Sequence, residues 1–276
     1  MFALATVAML SVSSCMNEKD FDLAPDQGKI ESEGYGYISL NVSADRTLST
    51  RGVDDVQNVP SNIVNSWYVR VKNSSNADVL SPVQIQVKDI AAQAFAAPAT
   101  YKVYVSSHTD LAAALSASSD TEIGAAYYEG KDEEVSVTAA QTESAVCACG
   151  PAQNARLIVN TAGFSGTINK LTVSGSNGAS GTRVVTFKDN TVDNMSKKAY
   201  FVANDDLTYT INYTINGKTK EYSNTTTPLK FTAATENTLT IESNSNGSIS
   251  LTITYDPTFG TDKTETVIID AATGEI

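Results

Sequence analysis

The chain has 276 residues, with 31 acidic side chains against 19 basic ones, and its formal net charge is −12. This charge disfavours a nucleic-acid partner, because a phosphate backbone would be repelled and the sequence offers no basic face. Apolar residues make up 41% of the chain, which is enough for a hydrophobic core, but their runs are too short for a bundle of membrane-spanning helices.

The first residues predict a lipoprotein signal peptide over residues 1–14. The apolar run Phe2–Leu10 is shorter than the roughly 20 residues of a bilayer span, and it ends in small residues, as a signal peptide does. The stretch that follows resembles a bacterial lipobox, which implies cleavage by signal peptidase II between Ser14 and Cys15 and lipidation of Cys15. Several acyl chains give firm membrane anchoring. No Lys or Arg precedes the run, so we expect the true start to lie upstream of Met1.

Residues 15–34 are predicted to be a flexible tether, because they are polar and lack periodicity. The acidic stretch directly after Cys15 resembles the export signal of Bacteroidetes-type surface lipoproteins. That resemblance implies a lipid-anchored protein of the outer membrane that faces the cell exterior.

Alternation of bulky with small or polar residues predicts a half-buried strand over Tyr35–Val42. A long polar link, residues 43–60, follows and contains Arg46 and Arg51. Asp110 begins the best helix candidate, which extends to Ala117. The further predicted strands are residues 64–71, 83–87, 101–105, 127–130, 135–138, 145–149, 155–159, 168–173, 183–187, 198–202, 239–241, 249–255 and 266–270.

Two Asn-Gly pairs predict β-hairpins, one at Asn216-Gly217 within residues 207–222 and one at Asn246-Gly247, because Asn-Gly accepts the positive φ values of a type I′ turn. Gly150-Pro151 is a strong break in the chain. Many short strands with frequent turns and almost no helix are typical of sandwiches or barrels. We therefore predict an all-β fold with two tandem β-sandwich domains, residues 35–150 and 151–276.

Residues with catalytic or metal-binding chemistry are few. His108 is the single histidine, so any Ser-His-Asp or Cys-His arrangement must use it, and its place between a strand end and a helix cap favours a turn residue. No zinc-ligand cluster and no phosphate-binding glycine-rich loop is visible. We predict no enzyme activity and no cofactor, although a pair of carboxylates of the glycosidase type is not excluded by sequence.

Two acidic segments, residues 189–194 and 204–206, carry oxygen ligands but lack the spacing of a calcium loop, and turns contain Asp and Asn for ordinary reasons. Cys147 and Cys149 share one face of a predicted strand, where a mutual disulfide would be strained. We interpret them as small apolar residues that fill that face.

Three aromatic residues, Trp67, Tyr127 and Tyr128, leave two interpretations open. They fit stacking against a sugar, but the interpretation we favour is a place in the core or on a sheet face.

Several stretches together resemble the fimbrillin-related surface lipoproteins of Bacteroidetes-type bacteria, a family that includes the subunits of type V pili. They are the lipobox at Cys15, the strand 36–42 with its arginine-bearing link, Tyr127–Gly130, the cysteine-containing strand and residues 152–159. The resemblance covers roughly the whole mature chain and implies two transthyretin-like, Greek-key sandwiches.

The resemblance also implies a way of assembly. In that family a trypsin-like protease cuts after an arginine beyond the first strand, and a strand of the next subunit fills the vacated groove. In this chain the removable strand would be residues 35–43, the cleavage sites Arg46 or Arg51, and the donor residues 265–276. A fixed final strand explains residues 265–276 equally well, and Arg46 and Arg51 are explained equally well as solvated loop charges.

The partners expected are thus other pilus subunits or copies of the chain, the outer membrane through the lipid, and a host protein or glycan. The alternative function is a surface glycan-binding lipoprotein that serves a polysaccharide-uptake system. The same anchor and the three aromatic residues motivate it.

Overall fold

The computed structural model describes residues 34–44, 64–224, 228–243, 249–256 and 264–269. In the first half of the chain the strands are β1 (Tyr35–Ala44), β2 (Tyr68–Asn73), β3 (Ile85–Gln86), β4 (Ala94–Ala96), β5 (Ala99–Ser106), β6 (Glu122–Ile123), β7 (Glu129–Val137) and β8 (Thr142–Cys149). One short helix, α1 (Leu111–Ser116), and two 3-10 turns, Val64–Ser66 and Val87–Ala92, interrupt them.

In the second half the strands are β9 (Asn154–Asn160), β10 (Thr167–Ser176), β11 (Thr182–Lys188), β12 (Lys198–Val202), β13 (Thr208–Ile215), β14 (Lys218–Ser223), β15 (Glu236–Ser243), β16 (Ile249–Asp256) and β17 (Thr264–Ile269). The described residues of this half are strands and turns. The predicted all-β fold is confirmed.

The strands form three sheets. A seven-stranded sheet has the order β3-β2-β5-β7-β8-β1-β4, a four-stranded sheet the order β11-β10-β13-β14, and a six-stranded sheet the order β17-β16-β15-β9-β12-β6. Most neighbours are antiparallel, but β1 runs parallel to β8, β15 runs parallel to β9, and β12 runs parallel to β6. Because parallel neighbours need long connections, these three pairs bring together distant parts of the sequence.

The alternating apolar residues bury themselves in two hydrophobic clusters. The first cluster is drawn from residues 38–152 with Ala234, and the second from residues 155–251. Trp67 and Tyr128 stack on each other in the first, with ring centroids 5.9 Å apart. The clustered residues up to Ala152, together with Ala234, thus form one core, and the other clustered residues from Ala155 onward form the second. The division into domains at Gly150-Pro151 stays a prediction.

A buried arginine ties strands of both halves together. Arg156 of β9 is 2% exposed and forms an ion pair with Glu236 of β15. Its Nη1 lies 3.5 Å from the hydroxyl of Tyr200 in β12, and that hydroxyl donates to Glu122 of β6 at 3.0 Å. Strand β6 also pairs with β12. The segment that contains α1 and β6 is therefore bound to the second half by backbone pairing and by a side-chain hydrogen bond.

The predicted turn chemistry is confirmed at two places. Asp110 caps α1, and its carboxylate accepts a hydrogen bond from Ala113 N at 2.7 Å. Asn216 and Gly217 take φ values of 51° and 72° between β13 and β14. Strands β15 and β16 pair antiparallel as expected, whereas the turn at Asn246-Gly247 lies outside the described residues.

Two strand predictions were wrong. Residues 127–130 and 135–138 were expected to be separate strands, but β7 runs unbroken through the polar residues between them. Its backbone pairs with β5 on both sides of an irregularity in the register. The other error lies at residues 64–67, where a 3-10 turn precedes β2 and delivers Trp67 to the core.

Candidate functional site

The candidate site is strand β1, because of the strands that it pairs with in the seven-stranded sheet. It lies between β8 and β4. Eight residue pairs, from Tyr37↔Thr142 to Ala44↔Cys149, join it in parallel to β8, and three join its start antiparallel to β4. The first strand of the described residues therefore has neighbours on both sides at its start and pairs with β8 along the rest of its length.

One face of β1 completes the first core. Ile38 is fully buried, and Leu40 and Val42, spaced two residues apart after it, pack against the same cluster. Successive side chains of a strand alternate between faces, so the sequence pattern places these three together. Full burial of one such side chain is worth about 1.5–3 kcal/mol. We infer that β1 is held by the core as well as by its hydrogen bonds.

The start of β1 passes so close to a neighbouring turn that only glycine fits. A Cβ on Gly36 would lie 2.3 Å from Thr138 O and 2.7 Å from a Val137 methyl carbon. On either side of it, Tyr37 N donates to Gln141 O at 2.8 Å and Ala140 N donates to Tyr35 O at 2.7 Å. The turn between β7 and β8 thus holds the beginning of β1 by two hydrogen bonds and by close packing against Gly36.

The other edge of β8 is less completely paired. Its in-register pairs with β7 are Gly130↔Cys149 and Lys131↔Ala148, against eight with β1. Farther along, the Asp132 carboxylate accepts a hydrogen bond from Val146 N at 2.9 Å. Most of the described in-register pairing of β8 therefore comes from β1.

The two cysteines of β8 lie beside β1 and are buried. Cys147 pairs with Val42 and Cys149 with Ala44, and both thiols are free and almost wholly covered. Burial raises the pKa of Cys147 to about 12 and that of Cys149 to about 11. Because the thiolate is the reactive form, these thiols are protected while β1 is in place. Their predicted role as apolar fillers of one sheet face is confirmed.

Other predicted sites at the N-terminus lie outside the described residues. They are the cleavage and lipidation site at Ser14 and Cys15 and the two arginines of the link, Arg46 and Arg51. In sequence, Arg46 is two residues beyond Ala44, the last residue of β1.

The C-terminal donor candidate is described over Thr264–Ile269, which form β17. This strand pairs antiparallel with β16 and takes the edge position of the six-stranded sheet. Residues 270–276 lie outside the described part.

The single histidine has a turn environment. The Ser107 hydroxyl lies 3.1 Å from His108 Nδ1, and the Ser106 hydroxyl donates to the His108 carbonyl at 2.7 Å. Burial lowers the pKa of the imidazole. These contacts fix a turn next to the α1 cap, as the sequence suggests.

The three aromatic residues considered for sugar stacking are all buried. Trp67 and Tyr128 stack on each other in the first core. Tyr127 is 7% exposed, and its hydroxyl donates to Glu129 at 2.7 Å. Burial, helped by that carboxylate, raises the pKa of Tyr127. Of the two interpretations of these residues, the structure favours core packing.

The aspartates of the two acidic segments considered for calcium make local hydrogen bonds and ion pairs. Asp189 accepts hydrogen bonds from Thr191 N and Val192 N at 2.7 Å, Asp193 pairs with Lys188, and Asp206 pairs with Lys230 at 3.0 Å. The hydrogen bonds from Thr191 lower the pKa of Asp189. Within the described ranges no three His, Cys, Asp or Glu side chains are grouped as metal ligands would be.

Two very short strands, β4 and β6, could not be predicted from the sequence. They are too short to show a hydrophobic period of their own, and their pairing with β1 and β12 defines them.

Among the residues that the structure describes, no helix has the length and apolarity to cross a bilayer.

Comparison with solved structures finds several distant matches. A fimbrial assembly protein from Parabacteroides distasonis matches with 12% identity and a TM-score of 0.43, over 84% of this chain and 97% of that one. A protein from Bacteroides ovatus described as a candidate cell adhesion protein matches with 11% identity and a TM-score of 0.39, over 86% and 100%.

A third match, from Bacteroides thetaiotaomicron, is described as a candidate polysaccharide-binding protein. It has 8% identity and a TM-score of 0.39, over 78% of this chain and 95% of that one. No protein-family model matches the chain. No curated protein matches it either.

Proposed function

We propose that this chain is a cell-surface fimbrillin-like protein, a structural or adhesive component of a type V pilus that is exported as a lipoprotein and assembled by strand exchange. The observation that carries the proposal is the place of β1. It is the first strand among the described residues, it lies between β8 and β4 in the sheet, it provides most of the described in-register partners of β8, and it contributes Ile38 to the first core.

Loss of β1 would have two consequences for the part that remains. The edge of β8 would present unpaired N–H and C=O groups, which are costly when they lack partners. The space of Ile38, Leu40 and Val42 would become an apolar groove beside it. A strand from another subunit satisfies both needs at once, because it supplies backbone bonds and side chains together.

The link after β1 supplies a means of release. A trypsin-like protease that cuts after Arg46 or Arg51 would separate β1, with everything before it, from the remainder of the chain. Before that cut, β1 keeps the groove filled and the lipid on Cys15 keeps the precursor at the outer membrane. Cleavage would then both free the subunit and open the groove.

The C-terminus is the proposed donor. Strand β17 is an edge strand with β16 as its one described neighbour, so its departure leaves no gap between strands. Val267 and Ile269 alternate as Ile38 and Leu40 do, which allows the one pair to occupy the positions of the other. The role proposed for the protein is non-catalytic.

The alternative, a glycan-binding lipoprotein of a polysaccharide-uptake system, has less support. Two of the aromatic residues that motivated it, Trp67 and Tyr128, are buried in the first core and are not available to stack against a sugar. The description of one distant structural match as polysaccharide-binding concerns that protein and has too low a TM-score to decide the matter.

Controlled cleavage of the purified chain tests strand exchange. The chain is treated with an arginine-specific protease, and assembly is followed by size-exclusion chromatography and electron microscopy. We expect cleavage after Arg46 or Arg51, followed by oligomers that retain no β1. The matched control is the double variant Arg46→Ala, Arg51→Ala, which should remain a monomer under the same treatment.

A second variant identifies the donor. Deletion of residues 270–276 together with β17 should leave a chain that is cleaved normally but does not assemble. Assembly without cleavage, or equal assembly of the deletion variant, would contradict strand exchange as proposed. Mass spectrometry of the mature N-terminus from native cell envelopes tells a chain starting at Thr47 or Gly52 from one starting at acylated Cys15.

A further inference from the structure

Strand β11 (Thr182–Lys188) forms one edge of the four-stranded sheet, and β10 is its strand neighbour among the described residues. Successive residues of a strand direct their N–H and C=O groups to alternate edges, so half of these groups face away from β10. Asn194 covers the end of the outer edge, because it donates to Phe187 O at 2.6 Å and to Thr186 O at 3.3 Å. Over residues 182–185 the described part of the chain supplies no hydrogen-bond partner to that edge.

The outer edge of β11 lacks the charges that protect the opposite edge of the same sheet. Edge strands usually carry charged side chains that discourage pairing with another chain. The opposite edge strand, β14, follows this rule with Lys218, Lys220 and Glu221 among its six residues. In β11 the one charged residue before Lys188 is Arg183, whose Nη1 donates to Tyr200 O. The charge of Arg183 is therefore directed toward the six-stranded sheet and does not protect the edge.

A valine stands exposed in the middle of this edge. Val184 is 59% exposed, the largest value among the exposed large apolar side chains of the described residues. Thr182 and Thr186 share its face, because side chains alternate along a strand and Val185 is buried on the other face. All three residues of the exposed face are β-branched, and such residues suit a strand that is paired on both sides.

The exposed face of β11 is complementary to itself. The order Thr-x-Val-x-Thr is the same in both directions, so a twofold axis at Val184 sets this residue opposite its own copy and Thr182 opposite Thr186 of the second copy. The opposed pairs are uncharged, and threonine hydroxyls and β-branched side chains stabilise cross-strand pairs. Before Thr182 the chain turns back toward β10, since Asn177 N donates to Gly181 O at 2.9 Å. The pairing is therefore limited to residues 182–186.

We propose that β11 pairs antiparallel with β11 of a second copy of this chain and joins two four-stranded sheets into one continuous sheet. A twofold contact closes at two copies, so it does not build a polymer by itself. A contact of this length is much smaller than the roughly 1,200–2,000 Å² of a stable interface, so separate chains in dilute solution stay monomeric. The contact gains strength where chains are held side by side, because the second binding event is then intramolecular. It forms with β1 in place and does not depend on strand exchange.

Cysteine cross-linking of the uncleaved chain tests the contact and its register. In a Cys15→Ser background the two remaining thiols are buried. Directly opposed residues have Cα atoms about 4.5–5.5 Å apart, which a disulfide spans, so Val184→Cys should form a covalent dimer under mild oxidation. Thr182→Cys and Thr186→Cys should each fail to cross-link alone, because equal residues then lie about 13 Å apart. A mixture of these two variants should cross-link.

Sedimentation equilibrium measures the affinity at up to about 1 mM protein, which populates even a millimolar dimer. Val184→Lys sets two like charges opposite each other and should raise the dissociation constant of the dimer about tenfold or more. Val83→Lys, at a valine that is 46% exposed and lies outside the strands, should leave it unchanged. In the cross-linking assay, Val83→Cys likewise gives the rate of random collision.

Three results would each overturn the proposal. They are a Val184→Cys variant that cross-links no faster than Val83→Cys, a Thr182→Cys variant that cross-links alone as fast as in the mixture, and a Val184→Lys variant with the dissociation constant of the parent. Since Val184 is exposed, the unfolding curve of Val184→Lys should match that of the parent. All of these measurements use chains that retain β1, so their failure would leave strand exchange untouched.

Discussion

Truncation of Ile38 should release β1 without unfolding the second core. Ile38 is 0% exposed and lies in the first cluster, two residues before Leu40 on the same face. Ile→Ala at such a site costs about 3 kcal/mol, within the usual range of 2–5. Since every 1.4 kcal/mol is a factor of ten, the population in which β1 is detached should rise about a hundredfold.

The thiols of β8 report that population. They are buried beside β1, so a thiol reagent reaches them chiefly when β1 has left. In a Cys15→Ser background, Cys147 and Cys149 are the remaining thiols of the chain. Their labelling rate should rise about a hundredfold in Ile38→Ala, in proportion to the detached population.

The control is Ile211→Ala, an equally buried isoleucine of the second cluster. It should lower the free energy of unfolding by a similar amount in urea and leave thiol labelling nearly unchanged. Equal acceleration of labelling by both variants would mean that the thiols open only with global unfolding. That result would refute β1 as a separately releasable strand.

Three further predictions concern the same strands and the buried arginine. Gly36→Ala should lower the free energy of unfolding in urea by about 2 kcal/mol, because its Cβ has no room against the β7–β8 turn. Burial raises the pKa of the Cys147 thiol from 9.0 to about 12, so its contribution to stability is complete below pH 9.0 and is lost as the pH rises from there toward 12. Glu236→Gln should cost about 2 kcal/mol by denaturant unfolding, since it leaves the buried Arg156 charge less compensated and the carboxylate is only partly exposed.

Each of these has a matched comparison. Gly150→Ala should be near neutral, because no atom stands within 4 Å of its Cβ position; a cost equal to that of Gly36→Ala would remove the steric argument. Cys147→Ala should flatten the stability loss that begins at pH 9.0, and an unaltered profile would assign it to other groups. An unchanged unfolding curve for Glu236→Gln would show that Arg156 needs no anionic partner.

The β-strand content and much of the turn chemistry were predictable, because they depend on local patterns. The alternation over Tyr35–Val42 and the Asn216-Gly217 turn each specify their own backbone. The short strands β4 and β6 were not predictable, since pairing with distant strands creates them. β7 was misread because a polar run, residues 131–134, resembles a turn when its pairing with β5 is unknown.

The candidate site was predictable only in part. The removable strand and its link were indicated by family resemblance, and the link lies outside the described residues. Burial of Cys147 and Cys149 followed from their spacing. The parallel register of β1 against β8 could not be foreseen, because no short motif encodes the pairing of two strands so far apart in the sequence.

The parallel pairing of β1 with β8 has a mechanical meaning. If tension is applied between the chain before β1 and the chain after β8, the two strands are pulled along their length in opposite directions. The load then falls on all eight residue pairs together, as in a shear joint, and does not open them one after another. Such a joint resists force far better than a peeling one. After a cut in the link beyond β1, the same joint would still have to yield before β1 could leave the sheet.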